Sequence, residues 1–489
     1  MHKVAGPDAA FLYGERPEWH FHVSAVVIVD PSDAGDSFSI DAVREALRRR
    51  IHRVPQFRWK LMTQVAGIDR PVFVDDPDFD VNNHVRHVAL PAPGDKRALG
   101  QLVGQLVSFK IDRLRPLWEM WYVEGLEGGR VAVLTKIHHS IIDGVSGSDL
   151  ATILFDIEPH PEPDPEPPPY IPDPPPTALR MAAEAAGALA AWPIRTMQYS
   201  AQVLQQGITV ARHALRDEAP VQPFQAPRTI LNGQLTGTRQ FAYAAIPLAD
   251  VKRIKNVFDV KLNDVILALS GGVLRSYLID HDELPMTPLI AQVPVSIRTD
   301  EDRNEVGTKV AAMFASLATH LDDPADRVQA VHDSTQSAKE MRTALSAQHI
   351  MGLTDATPPA LISLAATTIT RSGLEARTPP VFNLIISNVP GPPFELFMCG
   401  APIEAMFPMG PLLFGSGINF TVISTADRID FGFMTCPEMV PDPWDVAARV
   451  QPALDELLAA ADAKEAADRT AAKATSAKRP RKTKKSAAG

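Results

Sequence analysis

The sequence predicts an α/β protein with two domains of similar size. Helical and strand patterns alternate along most of the chain, as in mixed α/β architectures. A length of 489 residues exceeds what one hydrophobic core usually organises. A proline-rich stretch divides the chain, so we expect a first domain at 1–157, a linker at 158–177, a second domain at 178–460 and a tail at 461–489.

The first domain contains a regular succession of predicted elements. Apolar residues at helical spacing predict helices, and apolar runs of β-forming residues predict strands. The strands expected are 22–29, 117–124 and 130–138, and the helices expected are 40–54, 99–109 and 145–155. The segment 125–129, Gly-Leu-Glu-Gly-Gly, is typical of a hairpin turn, so the two strands beside it should pair antiparallel.

The linker holds eleven prolines between Pro159 and Pro176, mixed with Glu and Asp. Such a composition gives an extended, semi-rigid chain without a core of its own. It favours a plain spacer between the domains, and a docking segment for a partner is the alternative.

The second domain begins with an alanine-rich stretch, 178–215, that predicts a helix broken near Pro193. Residues 264–278 predict a buried helix, and Asn263 and Asp264 stand where a capping side chain is expected. The remaining elements expected in this domain are buried strands at 289–298, 382–387 and 418–423.

One segment raises the question of a membrane span. Residues 405–426 carry no charge and are long enough to cross a bilayer, but their prolines and glycines predict a loop followed by a strand. The amino terminus shows no apolar secretory run, and Cys399 and Cys436 allow at most one disulfide bridge. We therefore expect a cytoplasmic protein without a transmembrane helix.

Charge is distributed unevenly along the chain. The net charge of −10 argues against a nucleic-acid-binding body. Seven Lys or Arg and no acid lie from Lys473 onward, which leaves 41 basic against 58 acidic residues, or −17, in the rest. The tail is expected to be disordered. A solvated terminus is the simplest interpretation, and attraction to an anionic membrane is the alternative.

The residues most suggestive of chemistry are the run His138-His139-Ser-Ile-Ile-Asp143-Gly144, which follows the last strand of the first domain. A neutral imidazole is a suitable general base near neutral pH. Structural histidines and a metal site are the alternatives. Because neighbouring strand residues point to opposite faces, the two rings cannot easily bind one ion, and we expect no metal.

Strand alternation separates the roles expected for the pair. His139 would share a face with Val133 and Ile137, whereas His138 would share the other with Lys136. We therefore expect His139 to be the general base and His138 to support it.

Asp143 and Gly144 complete the motif. Asp143 could orient a histidine ring, or form a structural ion pair with a distant arginine, for which Arg298 is the candidate. We favour the ion pair. Gly144 suits a tight turn or a close approach of other atoms.

This motif, together with further segments in the same order, resembles the bacterial wax ester synthase/diacylglycerol acyltransferase family over roughly residues 4 to 460. The supporting segments are Pro7-Asp-Ala-Ala-Phe-Leu12, Asp75-Asp-Pro-Asp-Phe-Asp80, His84-Val85, Leu90-Pro-Ala-Pro-Gly94, Asp112-Arg113, Pro116-Leu-Trp-Glu119, Asn263-Asp264-Val265 and Ser387-Asn-Val-Pro-Gly-Pro392. One departure is Thr308, which follows Gly307 where the family often has asparagine.

The resemblance implies a chloramphenicol-acetyltransferase-like fold, with two related α/β halves and a tunnel between them faced by the motif histidine. It implies long-chain acyl-CoA as donor and diacylglycerol or a long-chain alcohol as acceptor. The segments it covers offer Asn263, Ser387 and Asn388 as candidate substrate-binding residues. Such substrates suit an enzyme that acts peripherally at a membrane or lipid-inclusion surface. Acyl-CoA would be a co-substrate, so no cofactor is expected.

The chemistry expected is direct attack of the alcohol on the thioester in a ternary complex, because the sequence shows no GxSxG elbow and no convincing cysteine nucleophile. Two other functions stay open. One is an acyltransferase of the same fold that acts on another envelope lipid, a sugar or a polyketide. The other is a lipid-binding or lipid-droplet protein with little catalysis.

Overall fold

Two six-stranded sheets and one small sheet organise the protein in a computed structural model. The structure describes residues 1–4, 6–34, 38–62, 70–142, 153–187, 189–193, 225–296, 310–340, 364, 367–368 and 379–477.

The first large sheet has the strand order β12-β13-β2-β7-β6-β5. Its strands are β2 (His22–Val29), β5 (Val85–Ala89), β6 (Trp118–Glu124), β7 (Val131–His138), β12 (Phe397–Met398) and β13 (Ala401–Met409). The small sheet, in the order β1-β4-β3, consists of β1 (His2–Lys3), β3 (Trp59–Met62) and β4 (Val72–Asp75). The helices of this half are α1 (Gly6–Gly14), α2 (Ile40–Arg50), α3 (Lys96–Val107) and the one-turn α4 (His139–Ile142).

The second large sheet has the order β10-β9-β11-β14-β15-β8. Its strands are β8 (Gln240–Pro247), β9 (Ile290–Ser296), β10 (Val310–Ser316), β11 (Leu384–Pro390), β14 (Ile418–Ser424) and β15 (Arg428–Thr435). The helices labelled in this half are α5 (Leu248–Phe258), α6 (Leu262–Asp280), α7 (Pro324–Glu340), α8 (Pro443–Ala447) and α9 (Val450–Ala477).

A shared apolar core joins the two halves. It takes Val26 and Leu134 from the first sheet and Phe241 and Phe420 from the second. Helix α3 lies directly on β8, because a Cβ atom at Gly100 would be only 2.7 Å from the carbonyl oxygen of Phe241. The absence of a side chain there lets helix and strand pack directly.

Strand β13 crosses from the second half of the chain into the first sheet. It pairs antiparallel with β2 and so extends that sheet. It also contacts the second sheet, since a Cβ at Gly432 of β15 would lie 1.8 Å from the carbonyl oxygen of Pro408. The expectation that residues 178–460 form a separate second half is therefore corrected for this segment, because β2 offers its free edge to β13.

Most local expectations within the described residues are confirmed. The hairpin forms, with β6 and β7 antiparallel, and the strand expected at 22–29 is β2. Residues 405–426 hold a loop followed by β14, as expected, but their first part is the end of β13, where a loop was expected. Within the described chain, one helix, α6, is long and apolar enough to cross a membrane, and 72% of that stretch is buried in the protein.

The tail is the clearest correction to the expected boundaries. Helix α9 continues through Ala477, so the segment from 461 to 477 is helical where disorder was expected. Alanine is the strongest helix former, and apolar residues such as Leu457 and Ala461 bury one face of the helix. Residues 478–489 lie outside the described residues, as do nearly all of the helix expected at 145–155 and much of that at 178–215.

Candidate active site

The two histidines lie where β7 leaves the first sheet. His138 is the last residue of β7 and faces His22 of β2, whereas His139 begins α4. The backbone N–H of His138 donates to Leu117 O at 2.9 Å, and that of His139 donates to Phe21 O at 2.8 Å. Segments on both sides therefore fix the backbone at the point where the strand becomes a helix.

The His138 ring is almost completely enclosed, with 1% of the residue exposed. Its Nδ1 accepts the backbone N–H of Ser140 at 3.1 Å and lies 2.8 Å from the Ser140 hydroxyl oxygen. Burial lowers the pKa of His138 well below 6.5, with smaller contributions from Arg113 and His139. A neutral, enclosed ring of this kind suits a supporting role.

His139 is half-buried, and its ring stacks on Phe11 of α1 with the centroids 4.2 Å apart. Strand alternation does not place this side chain, because β7 ends one residue earlier and His139 has helical geometry. The difference in burial between the rings separates the two histidines instead. Only the half-buried ring of His139 can meet a substrate without opening the core.

An ion pair between the buried Glu15 and the partly exposed Arg113, which sequence reasoning missed, lies beside His138. Glu15, whose side chain is 1% exposed, accepts from Arg113 Nη2 at 2.7 Å and Nε at 3.1 Å through Oε2. Its other oxygen, Oε1, lies 3.8 Å from His138 Nε2. Both residues stand in or next to the segments that carry the resemblance, but nothing local marks them as partners, since they are 98 positions apart.

A buried lysine lies on the same strand two residues earlier. Lys136 is fully buried and donates to the carbonyl oxygens of Leu106, at 3.1 Å, and of Phe109. Burial lowers its pKa, while Glu119, 3.5 Å away, acts in the opposite direction. These contacts tie the strand that carries His138 to the end of α3 and the loop after it.

The structure brings Asn263 and Asn388 together, with Nδ2 of Asn388 3.3 Å from Oδ1 of Asn263. The contact joins the first turn of α6 to β11. Ser387 is the neighbour of Asn388 on the same strand, so its side chain points to the other face of the sheet. The three candidate substrate-binding residues therefore cannot all line one surface.

Asp264 has a structural environment that explains its place beside Asn263. Its carboxylate accepts the backbone N–H of Lys261 at 3.1 Å, the hydroxyl of Thr335 at 2.8 Å and the Nδ1–H of His332 at 2.7 Å. The helix cap is Lys261 and not Asn263 or Asp264, so the capping expectation is corrected by one turn. Asp264 caps the helix from inside its first turn and links α6 to α7.

Several predicted features fall outside the described residues. Asp143, Gly144 and Arg298 are among them, so the ion pair between Asp143 and Arg298 stays a prediction, and Thr308 is also outside. Within the part of the chain that is described, no group of three His, Cys, Asp or Glu side chains is arranged to hold a metal ion.

Known proteins resemble both halves of the chain. A sequence profile described as the wax ester synthase/diacylglycerol acyltransferase catalytic domain matches residues 4–266, and the corresponding C-terminal domain matches residues 306–458. Two Mycobacterium tuberculosis proteins named as diacylglycerol O-acyltransferases are 35% identical over 476 residues and 38% identical over 451 residues. These alignments cover 94% and 92% of this chain, and 91% and 98% of those proteins.

Solved structures agree on the architecture. The wax ester synthase/diacylglycerol acyltransferase of Marinobacter aquaeolei VT8 is similar with a TM-score of 0.68 and 27% identity, over 94% of this chain and all of that one. The starter condensation domain of a rhizomide synthetase has a TM-score of 0.50 and 14% identity, over 94% of this chain and 95% of that one, and indicates the fold alone.

The expected two-half acyltransferase fold is thus confirmed, and the two profiles and the curated relatives span nearly the whole chain. The chain belongs to the wax ester synthase/diacylglycerol acyltransferase family.

Proposed function

We propose that the protein transfers a long-chain acyl group from acyl-CoA to the hydroxyl of diacylglycerol, which gives triacylglycerol. Long-chain alcohols would serve as further acceptors and give wax esters. The observation that carries the proposal is the half-buried His139 at the end of β7, stacked on Phe11, in a chain of this family. The names of the M. tuberculosis relatives support diacylglycerol as the acceptor.

In the proposed reaction, His139 acts as general base. Its ring takes the proton from the acceptor hydroxyl as that oxygen attacks the thioester carbonyl. The tetrahedral intermediate then collapses, the carbon–sulfur bond breaks, and the CoA thiolate takes the proton from the imidazolium. A positioned base of this kind contributes typically about 10²–10⁴-fold. Both substrates must be bound together, and acyl-CoA is consumed as a co-substrate, so no resident cofactor is needed.

Asn263, Ser387 and Asn388 stay candidates for substrate contacts. The Asn263–Asn388 contact uses one amide hydrogen of Asn388 and leaves its carbonyl and second hydrogen to other partners. Because Ser387 faces the other side of β11, we propose that it and Asn388 would serve different parts of a bound substrate, if both take part.

Activity measurements on histidine variants test the proposal. CoA release from palmitoyl-CoA is measured with dioleoylglycerol, hexadecanol and a trehalose monoester as acceptors. His139→Ala should reduce the rate with diacylglycerol by at least about 100-fold, because the base is lost, with an unchanged melting temperature. His138→Ala should retain far more activity per folded molecule, although its loss from a buried site lowers the melting temperature.

The same measurements can refute the assignment. Full activity in a folded His139→Ala protein would exclude the base role. Preference for the trehalose ester would identify another envelope lipid as the acceptor. No CoA release with any acceptor would leave a lipid-binding protein.

We further propose that the protein works peripherally at a membrane or lipid-inclusion surface. Its acceptor and product are insoluble in water, and the described surface exposes large apolar side chains such as Leu114, 83% exposed, and Leu179, 82% exposed. Liposome binding by the protein with and without residues 473–489 tests this.

A further inference from the structure

We propose that Glu15, held by Arg113, is a positioning residue. Its carboxylate accepts a hydrogen bond from Nε2–H of His138 and so fixes the histidine pair for catalysis. The proposal rests on the proposed function of His139. It concerns two residues to which the sequence motif gives no role.

The hydrogen bonds of His138 determine which nitrogen carries its proton. A backbone N–H can only donate, so the contact from Ser140 N at 3.1 Å requires a lone pair on Nδ1. The ring is neutral because burial lowers the pKa of His138. Its single proton therefore resides on Nε2, the nitrogen that faces Glu15.

Nε2 of His138 and Oε1 of Glu15 face each other. Both atoms are shielded from water, and neither has a hydrogen-bond partner among the described residues. Their separation of 3.8 Å exceeds an ordinary hydrogen-bond length by only about 1 Å. A small rotation of either side chain closes the gap, and an N–H then donates to a carboxylate oxygen.

Arg113 makes a buried carboxylate possible at this position. It binds Oε2 of Glu15 through two nitrogens, and its Nη2 also donates to the carbonyl oxygen of Leu12 at 2.8 Å. Without a cation, an enclosed carboxylate would be strongly disfavoured. The arginine thus ties the Glu15 side chain to the end of α1.

The contact reaches His139 through α1 and through the chain itself. Phe11 on α1 stacks on the His139 ring, and Glu15 directly follows the last residue of that helix. His138 is covalently next to His139 and anchors the point where β7 turns into α4. The segment from Phe11 to Glu15 therefore lies against both histidine rings, with Phe11 on His139 and Glu15 beside His138.

The charges around the pair make a directional test possible. The titratable or charged groups that face His138 are Glu15 after α1, Arg113 before β6, His22 on β2 and His139 on α4. Glu15→Gln leaves the cation of Arg113 unneutralised, which disfavours protonated imidazole. Arg113→Met removes the cation, and in the double variant both charges are lost.

Steady-state kinetics with palmitoyl-CoA and dioleoylglycerol provide the first readout. Glu15→Gln should lower kcat by up to about 10-fold, the same order of loss as expected for His138→Ala, because a displaced base loses its attack geometry, with KM changed less than about twofold. The acid limb of the kcat/KM profile should move down by about 0.5–1 pH unit in Glu15→Gln and back towards wild type in the double variant, which lacks both charges. Arg113→Lys, which keeps a cation, should hold the profile in place.

Chemical modification provides a second readout that does not require acyl transfer. The rate at which diethyl pyrocarbonate modifies His139, followed by peptide mass spectrometry across pH, reports the titration of its ring. The pH at which the modification rate changes should shift in the same directions as the kinetic profile. If the wild type fails to turn over any acceptor, the proposed function fails, yet the modification profile still decides whether the pair acts on the histidines.

A matched control is Glu404→Gln. It removes the same type of carboxylate from a more exposed ion pair, in which Arg130 donates two hydrogen bonds to Glu404. It should leave kcat and both pH profiles unchanged. Glu15→Gln with wild-type kcat and profiles would overturn the proposal. So would a loss of activity that merely follows the folded fraction, measured by thermal unfolding, with no shift in either profile.

Discussion

At the residue scale, the end of the first sheet near the active site buries three neutral histidines. His20 donates Nε2–H to Pro17 O at 2.7 Å, and His22 donates Nε2–H to Val107 O at 3.0 Å. Burial lowers the pKa of His20 to about 4 and holds those of His22 and His138 well below 6.5. These rings are packed as uncharged groups, so protonation opposes the folded state.

This burial predicts a loss of stability on mild acidification. The unfolded chain binds protons at these histidines from pH 6.5 downward, while the folded protein does not, so stability is full above 6.5 and falls as the pH is lowered. A shift of His20 from 6.5 to about 4 corresponds to a loss on the order of 3 kcal/mol in the free energy of unfolding, and this loss is complete only below pH 4.

Urea unfolding at pH 7.5, 6.5 and 5.5 checks this, because most carboxylates stay ionised over that range. His20→Gln keeps a donor for Pro17 O and should make the dependence on pH shallower. An equally steep dependence in His20→Gln and the wild type would exclude His20 as a source.

At the element scale, β13 acts as a bridge between the two sheets. It pairs with β2 on one side, and its Met406 N–H donates to the buried carboxylate of Asp430 on β15 at 2.8 Å. Arg428 holds that carboxylate at 2.7 Å and also donates to Glu404 O. Such a close approach requires a residue without a side chain opposite Pro408, and Gly432 occupies that place.

Gly432→Ala should therefore be strongly destabilising. The new Cβ would lie 1.8 Å from the carbonyl oxygen of Pro408, so one strand must move. We expect a loss on the order of 3 kcal/mol in the free energy of unfolding. Gly187→Ala is the matched control, since a Cβ there meets nothing within 4 Å and the position is helical. Equal melting temperatures for the two variants would contradict this packing.

The sequence predicted those parts that depend on near neighbours in the chain. The β6–β7 hairpin followed from two apolar runs around a glycine-rich turn, and the position of His138 and His139 after a strand followed with it. Strand alternation selected His139, but the structure separates the rings by burial, because the strand ends at His138.

Features that depend on distant partners could not be read in this way. β13 was not among the strands expected, because it contains Pro402 and Pro408, and nothing local specifies the sheet that it joins. Glu15 looks like a surface charge until the fold buries it against the partly exposed Arg113. Asp264 was assigned to the correct helix end but not to the correct contacts, because His332 and Thr335 arrive from another helix.

At the scale of the whole molecule, charge separates the tail from the body. The body carries −17, whereas the last segment, from Lys473, carries seven basic residues and no acid. An acidic body is repelled by an anionic bilayer, while each basic residue near such a surface contributes about 1 kcal/mol of attraction. The segment from Lys473 to the end of the tail is thus the part of the chain best suited to counter that repulsion.

Deletion of residues 473–489 should therefore weaken sedimentation with vesicles of phosphatidylcholine and phosphatidylserine in low salt. A full-length variant with the seven basic residues changed to glutamine separates charge from length and should behave like the deletion. Vesicles of phosphatidylcholine alone should bind all forms equally. Unchanged binding of the deletion to anionic vesicles would leave the apolar surface residues as the source of attachment.

The crossing of β13 also constrains how the protein comes into being. A ribosome releases β2 early, but the strand that covers its outer edge emerges only after most of the chain has been made. During that interval the first sheet has an open, largely apolar edge, the kind of surface that recruits other chains. We therefore expect a gene fragment that ends at the linker to encode an aggregation-prone product, because the edge of β2 would stay uncovered.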